Sequence, residues 1–428
     1  MKHPAKFLQT LYEAAVSAAQ PEKCVPPALP AFPDKGELII LAIGKAASSM
    51  ALAATKHYLK LDPANAARMR GLVTTRHGYG IPTPPLELIE AGHPVPDEAS
   101  AKAASKALEI AASAKPGDLV LVLISGGGSA LWSSPRPPLD LTAKQALTKT
   151  LLRSGATIAE INTVRRHLSG IKGGRLARAV PKGIPLLALA ISDVPGDDPA
   201  AIASGPTVAD PTSGAQCLAI CDQYCVEIPA QIRISLEKDT ISAKMIFDTK
   251  FELVATPAIA LAAAEKIAQQ KGFSVINLGD ALEGEARERA REHAEKALQL
   301  ANEGKPVMLI SGGELTVTMK GNGKGGPSQE YALALAIALQ SHPDIHAIVC
   351  DTDGADGGTG ADDDPAGARV APDTLPRAIA AGKVPAEFLD ENDSTSFFKA
   401  LDDLIITGPT YTNVNDFRAI MVNSTLLN

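Results

Sequence analysis

Asp118-Leu-Val-Leu-Val-Leu-Ile-Ser-Gly-Gly-Gly-Ser129 is the stretch that decides the fold. Six consecutive apolar residues are too short for an ordinary helix and read as a strand buried on both faces. The glycine loop behind them marks the strand's carboxyl end. Working outward, the pattern returns on both sides. Glu37 to Ile43 runs into Gly44-Lys-Ala-Ala-Ser-Ser49, and Pro185 to Ile191 runs into Ser192-Asp-Val-Pro-Gly-Asp197. Gly71 to Thr75 and Leu86 to Glu90 read as shorter strands. Helical patterns lie between, over Ser100 to Ala114 and over Leu141 to Val180 with a break at Lys172-Gly-Gly174. Apolar strands alternating with helices mean a parallel sheet covered on both faces.

Before this region, residues 1 to 22 read as an amphipathic helix followed by a proline-rich link. The alternation lapses over residues 226 to 250 and then restarts. Strands are expected at Phe251 to Ala255, Ser274 to Leu278, Val307 to Ile310, Ala347 to Cys350 and Asp403 to Thr407. The expectation is an α/β protein of two domains, residues 1–240 Rossmann-like and residues 241–428 a second α/β unit.

The chain has 428 residues, 45% of them hydrophobic but only 4% aromatic, so the core is built from Ala, Leu, Ile and Val. A net charge of −7 argues against a nucleic-acid partner. There is no run of 18 apolar residues, which argues against a membrane span, and no apolar segment behind Met1-Lys-His-Pro-Ala-Lys6. The expected compartment is the cytoplasm, where five cysteines stay reduced. Cys217, Cys221 and Cys225 recur every four residues and read as a buried helical stripe rather than metal ligands.

Candidate chemistry gathers at the strands' carboxyl ends. Leu123-Ile-Ser-Gly-Gly-Gly128 and Leu309-Ile-Ser-Gly-Gly-Glu314 are near copies. Ser125, Gly126, Gly127, Gly128 and Ser129, and Ser311, Gly312, Gly313 and Glu314, read as two anion-receptive loops. Downstream, Gly321-Asn-Gly-Lys-Gly-Gly-Pro-Ser-Gln-Glu330 supplies more glycine and Lys324 before a helix from Gln329 to Leu339, whose N-terminus favours an anion. Lys45 opens a helix and reaches a phosphate as a point charge. Asp351, Asp353 and Asp356 are candidate magnesium ligands, with Asp362 to Asp364 a solvated turn. Asn162, Arg165, Arg166, His167 and Lys172 form a basic cluster suited to a carboxylate. His93, between Gly92 and Pro94, reads as a turn residue. Ser125–Ser129 lacks the third glycine of a dinucleotide fingerprint, since Leu131 stands there, and no P-loop sequence occurs.

Taken together, Gly44-Lys-Ala-Ala47, Gly92-His-Pro-Val-Pro-Asp97, Ile124-Ser-Gly-Gly-Gly-Ser-Ala130, Ile161-Asn-Thr-Val-Arg-Arg-His-Leu-Ser169, Ser192-Asp-Val-Pro-Gly-Asp197, Ala203-Ser-Gly-Pro-Thr207, Asp351-Thr-Asp-Gly354 and Thr412-Asn-Val-Asn-Asp416 resemble the glycerate 2-kinases of the MOFRL type. The resemblance runs through nearly the whole chain in order. It implies two α/β domains facing a cleft and transfer of phosphate from ATP, with Mg2+, to the 2-hydroxyl of D-glycerate. Some bacterial members carry the label hydroxypyruvate reductase, so a nicotinamide-dependent reductase is the rival reading. A non-catalytic sugar-phosphate sensor is the second. The resemblance places the catalytic lysine at Lys45. An arginine common in the family (G-K-G-G-R-N-Q-E) is replaced by Pro327, and Lys324 or Arg166 is the candidate substitute. In the kinase reading, Lys45 and the two Ser-Gly-Gly loops hold phosphates, Asp351 or Asp353 reaches magnesium, and Arg166 or Lys172 clamps the substrate carboxylate. Asn413 also contacts substrate, Asp193 orients the attacking hydroxyl, and a homodimer is the candidate assembly.

Overall fold

The computed structural model describes residues 4–238, 249–358 and 361–423. Two compact units result. One comprises Pro21–Ser192 and Asp197–Val254; the other comprises the residues up to Gln20, Asp193–Gly196, and the chain from Ala255 onward. The units therefore divide at other places than a single cut after residue 240, which itself lies outside the described residues.

The first sheet contains β1 (Leu38–Ile43), β2 (Met69–Arg76), β3 (Glu87–Ala91), β4 (Leu119–Ile124), β5 (Leu186–Ile191) and β6 (Thr249–Ala255), in the order β3-β2-β1-β4-β5-β6. β1 is parallel to both β2 and β4, β2 to β3, and β4 to β5. All six residues of β1 and of β5 are buried, as expected for strands covered by helices on both faces. β6, expected to open the second unit, instead edges this sheet beside β5. In this order the chain reverses direction of growth between β1 and β4, and ligands in open sheets gather at that crevice. Leu38 pairs with Leu119 and Ile43 with Ile124, so the carboxyl ends of β1 and β4 are flush.

The second sheet contains β7 (Ser274–Asn277), β8 (Val307–Ser311), β9 (Ile345–Asp351), β10 (Pro365–Val370), β11 (Leu404–Ile406) and β12 (Asp416–Val422), in the order β11-β10-β9-β12-β8-β7. This second α/β sheet, unlike the first, is mostly antiparallel. β12 runs antiparallel between β8 and β9, and β10 is antiparallel to β9 and β11. Only β7 and β8 form a parallel pair among the described neighbours. β10 carries no apolar run, and β12 has one only over residues 419–422, behind the charged Asp416 and Arg418. Asn413 to Asp416 consequently lead into a strand rather than follow one. Because β12 is antiparallel, its start still reaches the end where β8 and β9 finish: Asp416 pairs with Asp351 and Arg418 with Ser311.

The helix Pro327–Leu339 is buried along most of its length and packs on the helix Ala286–Ala301. The amphipathic helix Pro4–Ala18 lies on β9, β12 and the helix Pro257–Gln270, with the rings of Phe7 and Phe273 stacked 5.6 Å apart. Cys217 and Cys221 are buried in the helix Gly214–Gln223, whereas Cys225 is exposed beyond its end. No described helix is long and apolar enough to cross a membrane.

Candidate functional site

At the β1/β4 crevice, the Gly44–Lys45 turn is stitched to the loop after β4. Lys45 N–H donates to the Gly126 carbonyl at 2.8 Å, and Ala46 N–H to Ser125 Oγ at 3.0 Å. Gly44 has a φ of 121°, and a Cβ there would lie 2.2 Å from Ser125 Oγ, so this approach requires glycine. Gly127, at a φ of 80°, turns the chain into the short helix Gly128–Leu131. A Cβ on Gly127 would meet the His93 ring at 3.0 Å and Lys45 Cγ at 3.4 Å. Lys45 and His93 thus converge on the same glycine. His93 was read as a turn residue; its position was encoded only in the Gly92–Asp97 motif. Asp97 fixes that turn by accepting a hydrogen bond from Ser100 N–H at 2.9 Å and by lying 2.9 Å from His77 Nε2.

Ser129 Oγ lies 2.6 Å from Ser204 Oγ, and Lys172 Nζ donates to the Ser129 carbonyl. Beside this loop is a cavity of about 720 Å³. Lys144, Arg165 and Lys172 line it, and no Asp or Glu is among its lining residues. Lys144 is 6% exposed, and its Nζ has no hydrogen-bond partner. Burial, then Arg165 and Arg175, bring its pKa down to about 7. Lys172 is likewise pushed well below its usual value, by burial and then by Lys144 and Arg165.

Arg166 does not line this cavity. Its Nε lies 3.1 Å from Asp210 Oδ1, both side chains being buried, and Asp210 also accepts from Thr212 N–H and Oγ1. The expectation of a carboxylate clamp at Arg166 is therefore corrected: its own protein supplies the carboxylate. The neighbouring Arg165 is the one that faces the cavity.

In the second unit the glycine-rich loop differs most from expectation. Four of its backbone donors, from Lys320, Gly321, Gly323 and Lys324, are already taken. Asn392 Oδ1 accepts from Lys320 N–H at 2.7 Å and Gly321 N–H at 3.0 Å, the Glu391 carbonyl accepts from Gly323 N–H, and Asp393 Oδ1 accepts from Lys324 N–H. Cβ atoms on Gly321 and Gly323 would clash with the Glu391 and Asp393 backbone at 2.4–2.6 Å. These glycines serve close packing of the loop on residues 391–393. The Lys324 side chain is exposed. Pro327 begins the helix, where no intrahelical N–H is required.

The helix N-terminus expected to meet a ligand anion holds Asp356 instead. Asp356 Oδ1 accepts from Ser328 N–H at 2.9 Å, and Oδ2 from Gln329 N–H at 2.8 Å and Gln329 Nε2 at 2.9 Å. Burial, and then Asp416, push its carboxyl up to about 7 against these donors. With both oxygens engaged, Asp356 does not suit a metal ligand. Asp351 and Asp353 each accept one backbone N–H within their turn, from Asp353 and Ala355 at 2.9 Å. Among the described residues no group of three or more His, Cys, Asp and Glu is disposed to hold a metal.

The Ser311–Gly313 loop also turns inward. Gly312 N–H donates to the Gly279 carbonyl, while the Gly312 carbonyl accepts from buried Arg418 Nη1 at 2.6 Å. Arg418 pairs in turn with Asp416. Glu314 is exposed beyond this loop. Asp193 and Asn413 are brought together: Asn413 Nδ2 donates to Asp193 Oδ2 at 3.2 Å.

These features match known proteins throughout. A family profile described as a domain of unknown function (DUF4147) matches residues 7–237, and the MOFRL family profile matches residues 307–416. A protein of Agrobacterium vitis, provisionally named a hydroxypyruvate reductase, is 46% identical over 97% of this chain and 94% of its own length. A Thermotoga maritima protein named D-glycerate 2-kinase is 37% identical over 96% of each chain. A crystal structure of a glycerate kinase from Thermotoga maritima superposes with a TM-score of 0.88 at 35% identity, covering 97% of this chain and 99% of the other. The chain belongs to the MOFRL-type glycerate 2-kinase family.

Proposed function

We propose that this chain transfers the terminal phosphoryl group of ATP to the 2-hydroxyl of D-glycerate, giving 2-phospho-D-glycerate and ADP. The observation that carries the reading is the β1/β4 crevice. There a lysine, Lys45, follows the single glycine of the first βα turn and is stitched to the Ser125–Gly128 loop. Phosphoryl transfer needs mostly positioning and charge neutralisation, and a fixed ammonium supplies both. The names borne by the Thermotoga maritima relative and structure agree with this reading.

The name of the Agrobacterium vitis relative keeps a reductase in view. Two features of this chain weigh against it. The first βα turn reads Gly44-Lys-Ala-Ala rather than a glycine triplet that admits a pyrophosphate, and β2 ends in Thr74-Thr-Arg76, with no acid for a ribose.

In the kinase scheme Lys45 and the Ser125–Ser129 loop hold phosphate oxygens. Asp193 orients the attacking hydroxyl, steadied by Asn413. Magnesium, when bound, would be held by Asp351 and Asp353, which neutralises phosphate charge; one or two carboxylates suffice for this ion. Lys324 supplies the charge that Pro327 cannot. Assembly as a homodimer and a cytoplasmic location complete the proposal.

The test offers purified protein ATP, magnesium chloride and D-glycerate and resolves the product by phosphorus NMR. It offers NADH and hydroxypyruvate in parallel. A 2-phosphate product supports the kinase. NADH oxidation without phosphorylation overturns it in favour of the reductase, and binding without turnover of either pair overturns it in favour of a sensor.

A further inference from the structure

The cavity beside Ser129 has a composition that folding does not explain. Lys144, Arg165 and Lys172 sit together against it, two of them almost wholly buried, and no carboxylate lines its wall. Like charges taken out of water repel and are poorly solvated, so such a cluster is costly unless something neutralises it. Lys172 has the Ser129 carbonyl, which is only a neutral acceptor. Lys144 Nζ has no partner. Without a ligand the two lysines relieve that cost only by giving up protons, whereas an anion bound from outside the chain would let them keep their charge.

Its size and polarity follow from the rest of the wall. About 720 Å³ falls in the range of sites for whole cofactors and exceeds what a three-carbon acid fills. A single carboxylate would also leave most of the positive charge unanswered. At the rim stand Val95 and Leu152, which are 67% and 62% exposed, with Pro94 and Pro96 beside Val95. Large apolar side chains left in water around a cationic pocket suit a flat heterocycle attached to a polyanion.

We infer that this cavity is the nucleotide site: Lys144, Arg165 and Lys172 bind the polyphosphate chain of ATP, and Val95 and Leu152 enclose its base. The inference rests on the kinase reading for the identity of the nucleotide and goes beyond it by extending the phosphate site from the Ser125–Ser129 loop to Lys144, Arg165 and Lys172 and by placing the base at Val95 and Leu152. Lys144, which no motif had singled out, becomes a binding residue, and Arg165 and Lys172, read from the sequence as suited to a carboxylate, are reassigned to the polyphosphate.

The experiment is calorimetric titration of the wild type, Lys144→Met, Arg165→Gln and Leu152→Asp with three separate probes: ATP with magnesium chloride, inorganic tripolyphosphate, and D-glycerate. Both cation variants are expected to weaken ATP and tripolyphosphate by about tenfold or more and to leave D-glycerate unchanged. Leu152→Asp, a change at an exposed position, is expected to weaken ATP while sparing tripolyphosphate more. Thermal melts accompany each variant, and Lys144→Met should melt no lower than the wild type without ligand, because it removes a buried amine that has no hydrogen-bond partner. Unchanged ATP affinity in the folded cation variants overturns the inference, as does a loss confined to D-glycerate, which would assign the cavity to the acid. A wild type that binds ATP through Lys144 yet phosphorylates no glycerate upholds the inference and removes the kinase reading. A wild type that makes 2-phosphoglycerate while Lys144→Met and Arg165→Gln keep their ATP affinity removes the inference alone.

Discussion

Asp356 holds the backbone of Gln329 at 2.8 Å and its side-chain amide at 2.9 Å, so the dipole of the helix Pro327–Leu339 is met by a carboxylate of the protein itself. The loop before that helix is closed in the same way by Asn392 and Asp393. The first part of the glycine-rich segment, Lys320 to Lys324, is therefore a packed junction whose N–H groups at four positions are bonded within the protein.

Removing that carboxylate is expected to cost stability. Asp356→Ala should lower unfolding free energy by about 1–3 kcal/mol, the penalty for orphaning buried donors. Asp356→Asn keeps the shape and should lose less. In both, the magnesium concentration for half-maximal activity should match the wild type. A shifted magnesium curve in Asp356→Asn would return this residue to the metal.

Lys45→Ala should lower kcat by about 10²–10³, the usual loss for one preorganised donor. Its melting temperature should stay near the wild type, because the turn is held by backbone groups and Ser125 Oγ. An unchanged rate in the folded variant would remove Lys45 from the site.

Lys144 should contribute stability to the ligand-free protein that grows as pH rises from about 7 toward 10.5. Lys144 has a folded pKa of about 7 against an ordinary 10.5. Between those values the unfolded chain holds a proton that the folded chain has released, so stability rises with pH. Lys172 contributes with the same sign. Denaturant melts at several pH values should show a shallower rise for Lys144→Met; identical slopes would mean that Lys144 keeps its proton when folded.

Lys324 and Asp393 separate charge from scaffold. Lys324→Ala should reduce kcat/KM for D-glycerate without moving the melt, since its side chain is exposed and only its backbone is held. Pro327→Arg should partly restore that variant. Asp393→Ala should instead lower the melting temperature by freeing the loop. Additive effects of the Lys324 and Pro327 changes, with no rescue, would show that the two positions share no task.

β1, β4 and β5 of the first sheet were legible because they are uninterrupted apolar runs, the mark that burial on both faces leaves. β12 was not, because Asp416 and Arg418 break the run; they pair inside the sheet, where sequence alone shows two charges. β10 contains Pro365 and Gly367, which read as a turn. A Cβ on Gly367 would lie 1.9 Å from the Val349 carbonyl, so that glycine serves strand packing. The crevice at Lys45 was readable from the strand–Gly–Lys–helix succession. The cavity was legible in part: Arg165 and Lys172 stood in the basic cluster, whereas Lys144 lies on a separate helix and alone resembles a solvated residue. Glycine was the ambiguous signal: the same residue type serves a ligand's approach at one loop and backbone packing at another.

The placement of β12 bears on how the protein is made. It fills the middle of its sheet, between β8 and β9, yet it emerges from the ribosome after both. Until it arrives, two long apolar strands lack their shared neighbour and present unpaired edges for a time on the order of seconds. The helix Pro4–Ala18, synthesised first, packs on β9 and β12 and must wait for them. The first unit can close while the later strands are still being made, whereas the second closes only once β12 has emerged, and that interval is when its unpaired strand edges are exposed to aggregation.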